Sequence, residues 1–278
     1  MKLKKYEELK THTTFRMGGI AVNYFIPENI SELMELNNKE KNARYIGGGS
    51  NLLISDHMFD VVIDLGEFDQ TILPLGHGRF KVGASVRLQK LINIINEDGY
   101  GGIEYLYSVP GLVGGAIVMN AGRGQKYNKC ISDYIVSVDV LCDGKMETLP
   151  KEDCQFEYRD SIFKDSDMIV TSVLFEFPQM SISETKSKKE ERIRLCKEKQ
   201  DSSKPNFGSV FSECSGSIMK MVKAVAVRTG GCHYSTKTSN WLLNDGGTFD
   251  DAIDCIQKVE LLHRFFCLKC KTEVIIWK

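Results

Sequence analysis

The sequence contains no apolar run of the roughly 18–20 residues that a membrane-spanning helix requires. Its first ten residues, Met1 to Lys10, are charged and lack the apolar core of a signal peptide. Neither sign of charge is in excess: the formal net charge is −1, so electrostatics give no reason to expect a nucleic acid or an anionic membrane as partner. The only close cysteine pair is Cys267-Leu-Lys-Cys270, and the second pair that a zinc site needs is missing. The nine cysteines are odd in number and scattered, a pattern that suits a reducing compartment. The five histidines (His12, His57, His77, His233 and His263) form no HExxH-like motif and are expected on the surface or as hydrogen-bonded core residues. Neither G-x-x-x-x-G-K-[ST] nor G-x-G-x-x-G occurs. Internal repeats and low-complexity segments are also lacking. These absences point to a cytoplasmic protein without a metal site.

What is present describes an ordinary soluble chain of 278 residues, 42% hydrophobic and 26% charged. A helix is expected from about Asn29 or Ser31, then a short strand "RYI" (44–46), a "GGGSN" loop (47–51) and a strand "VVIDL" (61–65). In a second segment, Ser85 is positioned to cap a helix whose Leu88, Leu91, Ile92 and Ile95 follow helical spacing up to Gly99. The alternating stretch "IVSVDVLCDGKMETL" around Asp143-Gly144 signals a β-hairpin, and "MIVTSVLFEF" (168–177) a further strand. The charged stretch 181–204 reads as a boundary followed by a solvated helix. A last helix, from Phe249 to about Phe266, opens on a box of Thr248 and Asp251 and buries Phe249, Ala252, Ile253 and Ile256. "FFCLKCKTEVIIW" reads as strand, which places Cys267 and Cys270 on opposite faces. The expected division is 1–66, 67–180 and 181–278.

Two glycine-rich stretches stand out. "YIGGGSNLLI" (45–54) sets three glycines and two short polar residues between apolar runs, a loop that suits a phosphate nest and equally a tight turn. "VPGLVGGAIVMNAG" (109–122) places four glycines in one of the most hydrophobic parts of the chain, each costing about 0.5–1 kcal/mol against alanine in a helix or strand interior. Glycine at such a cost signals positive φ or a close approach to the backbone. An extended dinucleotide cofactor lying across both loops would explain them; so would two structural turns.

The blocks "TTFRMGG" (13–19), "IGGGSNLLI", "VPGLVGGAIVMNAG", "FEYRDSIF" (156–163), "PNFGSVF" (205–211), "STKTSNWLLN" (235–244) and "TEV" (272–274) occur in the order of the UDP-N-acetylenolpyruvoylglucosamine reductase family. The chain resembles that family's shorter subtype over nearly its whole length. The resemblance implies an α+β fold: a two-lobed FAD-binding domain of the vanillyl-alcohol-oxidase (PCMH) type, lobes 1–66 and 67–180, then an α+β substrate-binding domain, 181–278. It implies FAD held by Gly47, Gly48, Gly49, Ser50, Asn51, Leu52, Val109, Pro110, Gly111, Gly114, Gly115, Ala116, Asn120 and Gly122. It also implies that NADPH reduces the flavin, which passes hydride to the enolpyruvyl ether of UDP-N-acetylglucosamine enolpyruvate.

The reaction needs a cation for developing enolate charge and a proton donor for carbon. Arg159 in "YRDS", Ser209 in "FGSVF" and Glu273 in "TEV" match the family's residues for these tasks. The chain departs from the family at Arg123-Gly124-Gln125 after "NAG", at Ser212, and at Thr238, which replaces histidine in a "KHAGF"-like turn; "MKMVKAVAVRTGG" (219–231) matches loosely. These departures keep open a paralogue acting on another nucleotide-linked enolpyruvyl sugar. A non-catalytic flavin-binding protein is a third reading, opposed by retention of all three reactive residues. The expected partner is a small sugar nucleotide, with a monomer favoured.

Overall fold

The computed structural model describes residues 1–123 and 129–278; Gly124 and Gln125, two of the departing residues, lie outside them. The chain forms two compact units that cut across the three expected segments. Unit 1 comprises Met1–Lys4, Asn23–Gly48 and Val61–Arg194, and unit 2 comprises Lys5–Val22, Gly49–Asp60 and Leu195–Lys278. The first 66 residues are thus shared between the units, and the change near residue 181 falls inside unit 1.

Unit 1 is built on a five-stranded antiparallel sheet in the order Ile72–Gly76, Arg79–Gly83, Ile169–Glu176, Ile135–Cys142, Lys145–Pro150. Each edge of the sheet is a two-residue hairpin. At Asp143-Gly144 both residues have positive φ (47° and 72°), the turn that the Asp-Gly signal predicts. At His77-Gly78 φ is 52° and 79°, and a Cβ on Gly78 would lie 2.3 Å from the Phe177 carbonyl oxygen. Only glycine fits there.

Three helices accompany this sheet: α1 (Ile30–Lys39), α2 (Leu88–Glu97) and the six-residue α3 (Val113–Val118). Asn29 caps α1 by accepting the Glu32 N–H at 3.0 Å. The α2 stripe Leu88, Leu91, Ile92 and Ile95 is fully buried in one cluster with Phe80, Val82, Val138, Val173 and Phe175 of the sheet. Each such side chain contributes about 1.5–3 kcal/mol by leaving water. Ser85 does not cap α2. Its hydroxyl donates to the Leu65 carbonyl at 2.6 Å and accepts the Asp69 N–H at 3.3 Å, while Arg87 stands at the cap position without a side-chain bond.

Beneath the opposite hairpin, Asp139 accepts hydrogen bonds from Ser172 (2.6 Å) and Thr148 (2.8 Å) and pairs with Lys81. Burial pushes its carboxyl pKa up, but the bonds from Lys81, Ser172 and Thr148 outweigh it, so the group ends below the usual range.

The charged segment forms α4 (Ile182–Lys199), solvated except at Thr185, and the chain passes from unit 1 to unit 2 within it. Unit 2 contains α5 (Gly216–Val225) and α6 (Phe249–Phe265), with the antiparallel strands Arg228–Thr229, Cys232–Tyr234 and Leu242–Asn244. Thr248 and Asp251 form the expected reciprocal cap of α6. Its buried stripe includes Ala252 and Ile256 and extends to Val259 and His263. His263 is a satisfied core histidine: Nδ1 lies 2.8 Å from the Val259 carbonyl, and Nε2 accepts the Ser215 N–H at 2.9 Å.

The segment read as one strand from Phe265 is not one. The helix continues through Phe265, Cys267 turns the chain with φ 52°, and only Lys271–Thr272 and Ile275–Trp277 are extended. Ile275–Trp277 pairs in parallel with Leu52–Ile54. Among the described residues, no helix is long and apolar enough to cross a membrane, and no group of three or more His, Cys, Asp or Glu side chains could hold a metal ion.

Candidate functional site

In unit 1 the two glycine stretches lie against each other. A Cβ built on Gly48 would sit 3.3 Å from the Gly111 Cα, and one on Gly47 would sit 3.7 Å from a Leu112 methyl. Backbone meets backbone here, which larger residues would prevent. The second stretch becomes α3 despite its glycines because protein partners hold its start. Val113 N–H donates to the Val86 carbonyl (2.8 Å) and Gly114 N–H to the Ala84 carbonyl (2.9 Å).

The two α3 glycines face differently. A Cβ on Gly114 would approach the Ala84 Cβ to 3.0 Å, whereas one on Gly115 meets nothing within 4 Å. Gly114 therefore answers to packing against Ala84, and Gly115 presents a bare backbone surface. Such a surface beside a glycine loop is a cradle that fits a flat cofactor.

The end of this stretch carries Arg159. Asn120 has φ 40° and donates from Nδ2 to the Glu157 carbonyl at 2.7 Å. The chain turns tightly over 157–160, Arg159 itself adopts φ 58°, and its Nη2 donates to the Gly122 carbonyl at 3.0 Å. Asn120, Gly122 and Arg159 are thus brought together. Gly122 is required by the fold as well, since a Cβ there would lie 2.4 Å from the Lys129 carbonyl oxygen. Nearby, burial and the Asp133 charge push the Cys130 thiol up, against the pull of Arg159.

In unit 2 the first glycine stretch continues through Gly49–Leu52. Gly49 takes φ 57°, accepts the Thr14 N–H at 3.0 Å, and would place a Cβ 1.9 Å from the His12 carbonyl oxygen. Asn51 reaches the far end of the chain: its Nδ2 donates to the Glu273 carbonyl at 3.2 Å and its own carbonyl accepts the Ile275 N–H at 3.0 Å. Glu273 N–H in turn donates to the Val210 carbonyl at 2.7 Å. Ser209, adjacent to Val210, forms an antiparallel bridge with Trp241. Asn51, Glu273 and Val210, the neighbour of Ser209, are therefore joined through two backbone carbonyls, although far apart in sequence.

Sequence reasoning missed Asn240 and the Val210 carbonyl. Asn240 has φ 64°, and asparagine's tolerance of that conformation was the available signal.

Two of the departing residues are bound internally. Thr238 Oγ1 donates to the Lys199 carbonyl at the end of α4 (2.8 Å), and Ser212 Oγ to the Lys271 carbonyl (3.3 Å). Arg123 N–H donates to the Lys129 carbonyl at 3.0 Å. The Thr238 loop is also pinned by Ser235, whose hydroxyl accepts the Lys237 and Thr238 N–H groups (3.0 and 2.9 Å) and donates to Asp201 (2.5 Å).

The α+β architecture with two apposed glycine stretches, together with the family and structural matches, places the chain among flavin-binding proteins of the vanillyl-alcohol-oxidase type. Residues 26–149 match the FAD binding domain family, which assigns FAD as cofactor. Over 281 residues the chain is 32% identical to the UDP-N-acetylenolpyruvoylglucosamine reductase of Thermotoga petrophila, covering 98% of each chain. It is 32% identical to that of a Nostoc species, covering 91% of this chain and 79% of the relative. The crystal structure of the Thermus caldophilus reductase superposes with a TM-score of 0.82 at 25% identity, covering 100% of both chains. The chain belongs to the UDP-N-acetylenolpyruvoylglucosamine reductase family.

Proposed function

We propose that the protein reduces the enolpyruvyl ether of UDP-N-acetylglucosamine enolpyruvate to UDP-N-acetylmuramate, with NADPH as reductant, in the cytoplasm and as a monomer, supplying a precursor of peptidoglycan. The observation that carries the reading is the backbone bond that brings Glu273 to Val210, the residue next to Ser209, in a chain that matches the named relative over 98% of each chain. FAD, when bound, would supply the two-electron redox chemistry that links the nicotinamide to the vinyl carbon.

The two glycine stretches would hold FAD, 47–52 offering backbone N–H groups suited to its phosphates and 109–122 a surface suited to its flat body. Gly114 serves this surface by letting α3 close on Ala84. Arg159, oriented by the Gly122 carbonyl, binds the substrate carboxylate and stabilises negative charge as it develops there; a guanidinium can do so with two parallel bonds. Ser209 delivers the proton to carbon, and Glu273 supports the enol and replaces the serine's proton, since a hydroxyl alone is a weak acid. Thr238 and Ser212, which left another substrate open, spend their hydroxyls on carbonyls of their own unit.

The test separates the half-reactions. Ser209→Ala leaves FAD content and flavin reduction by NADPH near wild type. Reoxidation by the enolpyruvyl substrate slows by about 10²–10⁴, the usual loss for a general acid. An alanine variant with unchanged reoxidation removes Ser209 from the mechanism.

A further inference from the structure

We infer that Asn240 is a positioning residue for Ser209, acting through the backbone of the next two residues; the inference rests on the proton-donor role proposed for that serine. Asn240 makes three bonds to the serine's segment. Its carbonyl accepts the Val210 N–H at 2.9 Å. Its side-chain Oδ1 accepts the Phe211 N–H at 3.0 Å, and Nδ2 donates to the Phe211 carbonyl at 2.8 Å. The amide thus engages both polar groups of one residue, as the peptide of a neighbouring strand would. This pairing also fixes the amide's orientation, because the reverse would oppose two donors and two acceptors.

Asn240 makes this clamp from a left-handed backbone (φ 64°). On the opposite side, the Val210 carbonyl holds Glu273. The segment Ser209–Phe211 is therefore gripped between Asn240 and the Glu273 strand, with Phe211 buried in the core at 2% exposure. At the other end, Gly208 has φ 79°, no atom within 4 Å of where its Cβ would be, and an N–H that donates to Asn206 Oδ1 at 3.1 Å. A reacting serine keeps its aim only if its neighbours are fixed, and on the C-terminal side the Asn240 side chain supplies that fixing at Phe211. A misplacement of about 1 Å at a reacting group costs on the order of a hundredfold in rate.

Asn240→Gly keeps the left-handed backbone, which glycine adopts readily, and keeps the carbonyl bond to Val210; only the side-chain clamp is removed. In the FAD-loaded protein, reoxidation of the reduced flavin by UDP-N-acetylglucosamine enolpyruvate should slow by about tenfold to a hundredfold. Reduction by NADPH should stay at the wild-type rate, which also reports that the variant is folded. Hydrogen exchange read by mass spectrometry should be faster over the peptide containing Val210 and Phe211. Asn240→Asp, whose second oxygen would face the Phe211 carbonyl, should behave like the glycine variant.

In an Ser209→Ala background, Asn240→Gly should add little, because two residues acting through one group are not additive. Unchanged reoxidation in Asn240→Gly, with Ser209→Ala slow, overturns the inference and leaves the serine's role standing. Equal loss in both half-reactions, or full additivity with Ser209→Ala, also overturns it. A fast Ser209→Ala variant overturns the underlying reading, and the inference with it.

Discussion

The two adjacent glycines of α3 should respond in opposite ways to the same substitution. Alanine raises helix propensity over glycine by about 0.5–1 kcal/mol in a helix interior, and by less in the first turn, where both residues lie. At Gly115 the added methyl has no neighbour within 4 Å, so Gly115→Ala should stabilise the FAD-free protein by a few tenths of a kcal/mol. At Gly114 the methyl meets the Ala84 Cβ at 3.0 Å and the Ala84 carbonyl oxygen at 3.4 Å. Ala84 cannot retreat cheaply, since its N–H donates to the Thr171 carbonyl (2.9 Å) and its carbonyl accepts the Gly114 N–H (2.9 Å). Overpacking of this kind costs about 1–3 kcal/mol and outweighs the propensity gain.

With FAD the order reverses. If the bare face of Gly115 is the cofactor's, its methyl intrudes on the ligand, and a similar 1–3 kcal/mol raises Kd by about tenfold to a hundredfold. Urea denaturation of flavin-stripped protein measures the first effect, and quenching of flavin fluorescence on titration measures the second. Gly115→Ala should be the more stable apoprotein and the poorer binder. If it binds FAD as tightly as wild type, the cradle lies elsewhere. If Gly114→Ala is as stable as wild type, the close approach to Ala84 carries no cost.

Two further outcomes follow from the titratable groups. Asp139 has a lower carboxyl pKa folded than its reference value of 3.8, so the folded state binds fewer protons there and gains stability as pH rises. That gain should be complete above the reference value and disappear as pH falls through the folded one. Urea midpoints measured from pH 5 down to pH 2.5 should therefore fall more steeply for wild type than for Asp139→Asn; parallel slopes would rule the carboxylate out. Among the cysteines Cys267 is exposed, whereas Cys154, Cys232 and Cys255 are buried, with burial pushing the Cys154 and Cys232 thiols up to about 11 and about 12. A thiol-reactive disulfide reagent should show one fast phase that Cys267→Ser abolishes; survival of that phase would assign it to another cysteine.

Local chemistry was legible in the sequence and distant partnership was not. The Asp143-Gly144 turn and the Thr248–Asp251 box depend on residues within three positions and form as read, and of the two starts offered for the first helix Asn29 takes the cap. The His77-Gly78 hairpin escaped notice because Pro74 interrupts its edge strand and because histidine is an uncommon choice for a left-handed residue. Ser85 had cap chemistry, but the Leu65 carbonyl and Asp69 N–H, from a neighbouring loop, compete successfully for its hydroxyl. The stretch after Phe265 alternates well enough for a strand, yet the helix runs into it and Cys267 breaks the extension. At the candidate site, glycines at 47–49 and 111–122 could be paired only as a pattern; that Gly48 touches Gly111 is a fact of folding. Asn240 looked like one residue of a recognisable block, and its clamp on Phe211, 29 residues away, had no local trace.

The pairing of Leu52–Ile54 with Ile275–Trp277 gives this protein a birth order. The Asn51 amide meets its acceptor 222 residues later, so a ribosome has made most of the chain before the early strand acquires its neighbour. Until then Leu53 and Ile54, both fully buried at the end, have no Trp277 strand beside them. Unit 2 must close over contacts that span nearly the whole sequence, the kind that slow folding because loop entropy is lost before pairing is gained. Unit 1 has all its segments once Arg194 has emerged. The apposed glycines Gly48 and Gly111 and the open face of Gly115 can thus take shape during synthesis, while Glu273 and the Ile275–Trp277 strand are made much later. Nascent chains long enough for Arg194 to clear the ribosome should therefore already fold unit 1, whereas Gly49–Leu52 wait with unit 2 for Ile275–Trp277.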